Sequence, residues 1–226
     1  ACWLFGNLTW LLAADLNAAI PWWLLFLVLT IAGERLELTR FLPTPPHAQT
    51  LFIAIVSLML LSALLAVDRL LGANFIALAL WLLRYDIARR NLRSDGLTRF
   101  IAICLISGYL WLLVAGLFIL SGALIPGHGW RDAALHAVSL GFVFSMVFGH
   151  APIIFPAVTR IRIPYHPALY LPLALLHITL GLRVFAGLVN NFPLRHDAGL
   201  FNGLVLVLFI ATLLTLVRRQ RKRGSP

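Results

Sequence analysis

Residues 131–156, RDAALHAVSLGFVFSMVFGHAPIIFP, constrain the fold more than any other part of the chain. Charged residues open this stretch, and about twenty mostly apolar residues follow, which is enough for a helix to cross a bilayer. A backbone inside a membrane must satisfy its own hydrogen bonds, so the stretch predicts a transmembrane helix. Two prolines, Pro152 and Pro156, are expected to disturb its far end.

The composition of the chain excludes a soluble globular protein. Of its 226 residues, 61% are hydrophobic and 12% are charged, and the mean hydropathy is +0.94. A soluble domain of this size cannot hide so much apolar surface. The net charge of +10 does not indicate nucleic acid binding, because the basic residues lie between hydrophobic segments and at the C-terminus. No nucleic acid partner is therefore expected.

Several catalytic and metal-binding motifs are missing from the sequence. Cys2 and Cys104 are isolated, so no disulfide framework, zinc knuckle or covalent haem attachment site is expected. The sequence has no GxSxG, HExxH or phosphate-binding loop motif, which argues against a hydrolase.

Hydrophobic segments recur along the whole chain. We count eight, at residues 3–14, 21–33, 50–67, 70–83, 100–125, 131–156, 167–189 and 199–217. The sequence therefore predicts an all-α fold, a polytopic transmembrane helix bundle that forms a single domain over residues 1–226. The first segment is short for a span and is expected to be a truncated helix. Because the chain begins without Met and without a basic segment, we expect it to be a processed chain or the C-terminal part of a longer protein.

The basic residues predict the orientation of the bundle. Fourteen of the 18 Lys and Arg residues fall on one predicted side, three fall on the other, and Arg183 lies within the seventh segment. Since positive loops stay on the cytoplasmic side, the C-terminus and residues 84–99 are predicted to be cytoplasmic. The alternation also supports the count of eight. The C-terminal RRQRKR is interpreted as a topology anchor at anionic headgroups, or as a binding tail for an acidic partner.

Two faces of the sixth segment carry different kinds of residue. His136 and His150 are fourteen residues apart, which in an α-helix puts them about 40° apart around the axis and about 21 Å apart along it. Beside this stripe, Gly141, Ser145 and Gly149 form a small-residue seam with a spacing of four, a pattern that lets another helix approach closely. We expect the small-residue seam to face another helix, most simply the seventh segment.

Histidines in apolar segments are candidate ligands, because an ionisable side chain inside a membrane needs a partner. His150 and His177 each lie about ten residues from the cytoplasmic end of their predicted helices, so they reach a similar depth. We predict that they share a metal, a haem or a polar partner, since neutral imidazole binds haem iron and copper. The alternative is that they hydrogen-bond across a helix interface and bind nothing. His136 is the candidate ligand of a separate outer site, shared with His196 or with a helix outside this chain.

Two further side chains within the segments are candidates with open alternatives. Met146, one turn from His150, is a soft ligand for haem or Cu(I), or else a packing residue. Arg183 holds a haem propionate or another anion, reaches the membrane surface, or pairs with an acid. Acids on its predicted side of the membrane include Asp15, Asp132 and Asp197.

The remaining polar residues are expected outside the membrane core. The histidines in this group are His166 at the interface and His47, His128 and His196 in solvated loops. The charged residues that end the second segment are Glu34, Arg35 and Glu37. They are interpreted as an ion-pair cluster at the cytoplasmic surface, and the alternative is a role in proton transfer or ligand binding.

The run HAVSLGFVFSM, residues 136–146, resembles a helix motif of the NnrS family, in which His-Ala is followed after three residues by Gly and after four more by Met. NnrS-like proteins are polytopic membrane proteins that bind haem and copper and are linked to nitric oxide metabolism. The resemblance implies that His136 is a haem or metal ligand and that Met146 is its neighbour. In the family the next Gly-His lies further along the chain, whereas Gly149 and His150 fall in the same segment here, so the second ligand stays open.

A second phrase, FGHAPIIFP at residues 148–156, is similar to the copper-ligand helix of haem-copper oxidases, in which Gly-His-Pro opens an apolar run. Ala151 stands here in place of that proline, and the Glu, the Tyr and the paired histidines of those enzymes are missing. A terminal oxidase subunit is therefore not expected.

These patterns predict an integral protein of the bacterial inner membrane that binds haem and/or copper within the bundle of the sixth and seventh segments. Its predicted task is electron transfer or the handling of nitric oxide or a metal. The alternative is a non-catalytic scaffold subunit of a larger redox complex, whose partners are the lipid bilayer and other membrane subunits. A transporter is a third interpretation, which is disfavoured by the lack of an acidic residue in the middle of any predicted segment.

Overall fold

A computed structural model describes residues 1–39, 45–161 and 163–223, and over these residues it contains helices and no β-strand. The predicted all-α class is therefore confirmed. Arg40 and Arg162, two of the basic residues that predict the orientation, lie outside the described residues.

The helices follow the predicted hydrophobic segments. In chain order they are α1 (Cys2–Ala13), α2 (Leu16–Thr39), α3 (Pro46–Leu64), α4 (Asp68–Tyr85), α5 (Ala88–Asn91), α6 (Gly96–Leu120), α7 (Arg131–His136), a π-helix (Ala137–Phe144), α8 (Ser145–Thr159), a 3₁₀-helix (Pro167–Leu169), α9 (Tyr170–Leu188) and α10 (Phe192–Arg223). Left-handed residues such as Ala14 and Asn190 redirect the chain between consecutive helices.

Six helices of the described chain are long and apolar enough to cross a membrane. They cover Leu16–Leu38, Pro46–Leu64, Gly96–Leu120, Arg131–Thr159, Pro167–Leu188 and Phe192–Gln220. α1 has only 12 residues, and α4 carries the charged residues Asp68, Arg69 and Arg84 near its ends. The predicted count of eight spans is therefore not confirmed, although a helix coincides with each predicted segment.

The sixth predicted segment is not one regular α-helix. α7 ends at His136, the π-helix follows directly, and α8 continues to Thr159. Because π-helical hydrogen bonds reach the fifth residue along, each residue turns by less than the 100° of an α-helix. The predicted angle of 40° between His136 and His150 assumed a regular α-helix between them, and that assumption is wrong. α8 also continues through Pro152 and Pro156, since neighbouring groups in a helix bundle compensate for the hydrogen bonds that proline removes.

The contacts divide the chain into two compact units. The first comprises Ala1–Ile87 and Tyr109–Ser139, and the second comprises Ala88–Gly108 and Leu140–Pro226. Each unit therefore contains one half of α6 and its own set of packed helices.

In the first unit, α4 is the central packing element. Trp81 of α4 donates from Nε1 to the carbonyl oxygen of Ala48 on α3 at 2.8 Å. The other neighbour of α4 is the second half of α6. There, a Cβ added at Gly72 would lie 2.8 Å from the carbonyl oxygen of Gly116. The two backbones approach so closely because neither residue has a side chain.

A polar contact joins the ends of several helices in the same unit. The guanidinium of Arg131 donates to the carbonyl oxygen of Leu124 and to Oδ1 of Asn17, both at 2.6 Å. It also acts electrostatically on Asp68, the first residue of α4. Arg131 therefore connects the beginnings of α2, α4 and α7.

In the second unit, α8 packs against the first half of α6. A Cβ added at Gly149 would lie 2.9 Å from the Cβ of Cys104, and one added at Gly108 would lie 3.3 Å from the Cβ of Ser145. Ser145 and Gly149 of the small-residue seam thus face another helix, as predicted. That helix is α6 and not α9, because Cys104 and Gly108 offer small residues at the same spacing of four.

α10 packs against both other long helices of this unit. On α9, Thr179 and the amide of Asn202 form a buried side-chain hydrogen bond of 2.7 Å. On α8, the ring of Phe148 stacks on Phe209 with 3.8 Å between centroids and 7° between planes. Side-chain packing, together with this hydrogen bond between α9 and α10, holds α10 in place.

Candidate functional site

His136 is the last residue of α7, and its own helix fixes its ring. Nδ1 lies 2.8 Å from the carbonyl oxygen of Asp132 and 3.4 Å from that residue's Oδ1, and the side chain is 30% exposed. An imidazole that donates from Nδ1 to a carbonyl keeps its lone pair on Nε2, which is the arrangement of most metal-ligating histidines. The geometry of His136 is therefore suitable for ligation through Nε2.

The π-helix begins at the residue after His136. It covers Ala137–Phe144, which is most of the run that resembles the NnrS motif. π-Helical backbone is rare and occurs frequently at functional sites. The irregular part of this span thus coincides with the motif and not with the prolines further along.

His150 is held in the same way on α8. Its Nδ1 lies 2.7 Å from the carbonyl oxygen of Met146, one turn earlier, which again favours a lone pair on Nε2. Met146 is buried, and a Cβ added at Gly108 of α6 would lie 2.6 Å from its methyl carbon Cε. Met146 therefore packs on α6, and its role as a ligand stays a prediction.

The other two predicted cofactor-binding residues lie on α9. Nε2 of His177 is buried. Arg183 reaches α10, where a Cβ added at Gly199 would lie 2.5 Å from the guanidinium nitrogen Nη1. Gly199 thus leaves room for the guanidinium between the helices. The site predicted to be shared by His150 and His177, and the anion predicted for Arg183, stay predictions.

The described residues contain no group of three or more His, Cys, Asp or Glu side chains that could hold a metal ion. A copper site of three such side chains is therefore not formed within that part of the chain. Haem iron needs only one or two axial ligands, so this result does not bear on haem.

Two histidines that were predicted in loops belong to helices. His47 lies in the first turn of α3 and His196 lies near the start of α10, and both are exposed, as predicted. His128 does lie in a connection, where its Nδ1 accepts a backbone hydrogen bond. His166 accepts a backbone hydrogen bond at the start of the 3₁₀-helix and is exposed.

A buried polar cluster in the first unit was not predicted. Arg35 of α2, Asp86 after α4 and Tyr109 of α6 are 6%, 4% and 0% exposed. The carboxylate of Asp86 and the guanidinium of Arg35 both act electrostatically on the Tyr109 hydroxyl, so the three side chains are neighbours. Glu34 and Glu37 are exposed. The predicted surface cluster is therefore wrong for Arg35, which faces the interior.

A family model described as "Domain of unknown function (DUF8744)" matches residues 1–218 of the chain. The chain belongs to the DUF8744 family. No curated protein and no solved structure matched the DUF8744 chain. The match covers every candidate site residue named above, and the resemblance to NnrS stays a prediction.

The sequence of the DUF8744 chain did contain a signal for the buried cluster. Leu25, Val28 and Ala32 precede Arg35 by ten, seven and three positions and are all buried. This spacing is that of one helix face, so Arg35 falls on the apolar face of α2 and is predicted to point toward the interior. A buried arginine needs an acidic partner, yet the sequence gives no indication that Asp86, after Arg84 and Tyr85, is that partner.

Asp86 bears on the transporter interpretation because it is a buried acidic residue, although it follows α4 and does not lie in the middle of a segment. It follows α4 and is buried beside Tyr109, a residue near the middle of α6. The DUF8744 domain thus has a buried acidic residue within residues 84–99, which were predicted to be cytoplasmic.

Proposed function

We propose that the protein is a haem-binding integral membrane protein that serves electron transfer or the handling of nitric oxide or a metal. The observation that carries the proposal is the orientation of His136, which makes its contacts through Nδ1 at the junction of α7 and the π-helix. This histidine also opens the NnrS-like run. His136 is the proposed axial ligand of an outer haem.

Haem suits the described side chains better than copper does. One or two histidines are enough for haem iron, whereas the described residues form no larger ligand group. His150 and His177 are the proposed ligands of an inner site, and Arg183 is the proposed partner of a propionate. Bound haem supplies a one-electron couple and a coordination position for a small gas. Copper, with Met146 as a soft ligand, is the alternative.

A visible spectrum and metal analysis of the purified protein test this proposal. We expect a Soret band in the wild type, its partial loss in His136→Ala, and loss of the other cofactor in His150→Ala and in His177→Ala alike. His47→Ala is the matched control, because His47 is exposed in the first turn of α3 and has no proposed role as a ligand. A colourless, metal-free protein favours the non-catalytic scaffold subunit instead.

The proposed topology has eight crossings, a C-terminus in the cytoplasm and a location in the bacterial inner membrane. Arg89, Arg90, Arg218 and Arg219 are exposed, as basic residues of cytoplasmic segments are. Protease protection in oriented vesicles tests the arrangement. Cleavage at residues 84–99 and at the C-terminus is expected from the same face, and cleavage from opposite faces excludes eight crossings.

Proton- or ion-coupled transport is a second candidate, which the cluster of Arg35, Asp86 and Tyr109 favours. Ionisable residues buried in a membrane bundle mark ion and proton pathways. The test is proton flux in reconstituted vesicles, followed with a pH-sensitive dye. Flux that is lost in Asp86→Asn but kept in the exposed control Glu34→Gln supports transport. A wild type without flux removes this candidate.

A further inference from the structure

We propose that the groove between α8 and α10 binds an anionic phospholipid, with one acyl chain along the groove and the phosphate beside Arg160 and Arg218. The proposal is independent of haem binding, because the groove is lined without histidine.

The groove is apolar and elongated, with a volume of about 430 Å³. The stacked rings of Phe148 and Phe209 are buried and form its inner side, while Phe155, Ile210 and Leu214 are each more than half exposed. The complete lining is Phe144, Val147, Phe148, Ala151, Phe155, Thr159, Ile161, Ile163, Leu206, Phe209, Ile210, Leu213, Leu214 and Val217. The single hydroxyl among these side chains, that of Thr159, donates to its own helix at the Phe155 carbonyl.

The length of the groove corresponds to one leaflet of a bilayer. On α10 its lining runs from Leu206 to Val217, which is about 16 Å at 1.5 Å per residue. Half of the hydrocarbon core of a bilayer is about 15 Å. An acyl chain that enters from the membrane surface therefore fits along the groove.

Positive charge lies at one end of the groove. Arg160 follows Thr159 of the lining, Arg218 follows Val217, and both arginines are exposed. Both lie at the same end, because the lining passes from α8 through Ile163 onto α10. From residue 140 to residue 220 the sequence has a single acid, Asp197, near the opposite end of α10. The charge thus complements a phosphate at the membrane surface.

A neighbouring polar cavity extends this charged end. It has a volume of about 220 Å³, and its polar lining residues are Tyr165, His166, Arg219 and Gln220. It adjoins the groove in the chain, since Pro164 follows Ile163 and Leu216 precedes Val217. Hydrogen-bond donors for headgroup oxygens are therefore available next to the two arginines.

A lipid suits this surface better than a second copy of the chain. Two copies that met groove to groove would form a symmetric contact in which the same residues face each other. Arg160 and Arg218 of both copies would then lie together, and like charges across an interface oppose association. An anionic lipid places its negative charge there instead.

The proposal is tested by native mass spectrometry of the full chain after its lipids have been removed in detergent. The experiment compares the affinities of the protein for phosphatidylglycerol and phosphatidylcholine with identical acyl chains. We expect phosphatidylglycerol to bind about 25-fold more tightly than phosphatidylcholine, because each of the two arginines near the surface is expected to raise the affinity about fivefold. Arg160→Gln with Arg218→Gln should abolish this preference. Arg195→Gln, at the opposite end of α10, is the charge control.

The groove itself is tested by filling it. Ile210→Trp should weaken binding of both lipids at least tenfold, whereas Val207→Trp should not, because Val207 is also exposed on α10 but lies outside the lining. If Ile210→Trp does not purify as a monodisperse protein, Leu214→Phe and its control Leu204→Phe make the same comparison. Equal affinity for the two lipids, equal effects of groove and control variants, or a disulfide-linked dimer from Leu214→Cys would each overturn the proposal.

Discussion

α4 and α6 cross at Gly72 and Gly116, where their backbones are in direct contact. A Cβ added at either glycine would lie 2.8 Å from the carbonyl oxygen of the other. Real side-chain carbons do not approach a backbone oxygen so closely without a shift of the helices. Without a hydrophobic driving force inside lipid, such close packing is the main attraction between helices. The crossing therefore brings the backbones of α4 and α6 into direct contact in the first unit.

This crossing predicts that Gly116→Ala lowers the free energy of unfolding by about 1–3 kcal/mol, because the methyl group forces α4 and α6 apart. Unfolding by SDS in mixed micelles measures the change. Gly203→Ala on α10 is the matched control, since nothing lies within 4 Å of the added carbon. That substitution should be neutral or stabilise the protein by up to about 1 kcal/mol. Equal effects of the two variants would contradict the crossing.

The contact of Gly149 with Cys104 makes a second prediction. Gly149→Ala should destabilise the second unit by about 1–3 kcal/mol, because its methyl group meets Cβ of Cys104. Adding Cys104→Gly removes that carbon, so the double variant should recover part of the loss. Gly181→Ala, with open space around the added carbon, is the control. The same SDS titration is used, and a double variant no better than the sum of the single variants would count against direct contact.

The buried charges of Arg35 and Asp86 make a third prediction. Asp86→Asn should cost about 3–5 kcal/mol, because it leaves Arg35 as a buried charge without its counter-charge. Arg35→Leu together with Asp86→Leu should cost less than the sum of the single changes. Glu34→Gln should change stability by at most about 0.5 kcal/mol, since Glu34 is exposed. Strict additivity of the double variant would show that the two charges are not partners.

Asp68 gives the protein a pH dependence. Partial burial at the start of α4 raises the pKa of its carboxyl above the ordinary value, and the nearby Arg131 opposes the shift. The folded state therefore holds this proton more tightly than the unfolded state, so stability decreases as pH rises from about 3.9 through the folded pKa. Asp68→Asn should remove that decrease. The melting temperature of the variant relative to wild type should rise with pH over this window.

The control for Asp68 is Asp95→Asn, because Asp95 is exposed and lies before α6, away from Arg131 in the sequence. Comparison with this control separates the effect of Asp68 from a general effect of replacing an acidic residue. A difference between Asp68→Asn and wild type that does not vary with pH would exclude the raised pKa.

Much of the helical structure was predictable because it follows from local rules. An apolar segment such as residues 167–189 forms a helix wherever it lies in the membrane, since each backbone amide must find a carbonyl within the segment. Helix ends were less predictable. α10 begins at Phe192, earlier than residue 199, because Asn191 accepts the backbone hydrogen bond of Leu194 through its side chain. His196 therefore belongs to a helix.

Predictions about the candidate site depended on an assumption about helix type. The positions of His136 and His150 were predicted with the angle of a regular α-helix, and the π-helix between them changes that angle. No residue in Ala137–Phe144 identifies a π-helix from its type alone. The contact of each Nδ1 with the carbonyl oxygen one turn earlier is local, yet it could not be predicted from the sequence because it depends on the orientation of the ring.

The sequence by itself determined that this chain is made of helices, most of them apolar and long enough to cross a membrane, because hydrophobicity and backbone hydrogen bonding act within each segment. Only the tertiary structure decided which helices meet. Gly149 lies against Cys104 on α6 rather than against α9, and Arg35 and Asp86, 51 positions apart in the chain, both lie near Tyr109. Small residues indicate that another helix packs closely, and buried charges indicate that a polar partner is needed. Which partner they find depends on the packing of helices that are distant in sequence, and a pattern within one segment carries no information about that packing.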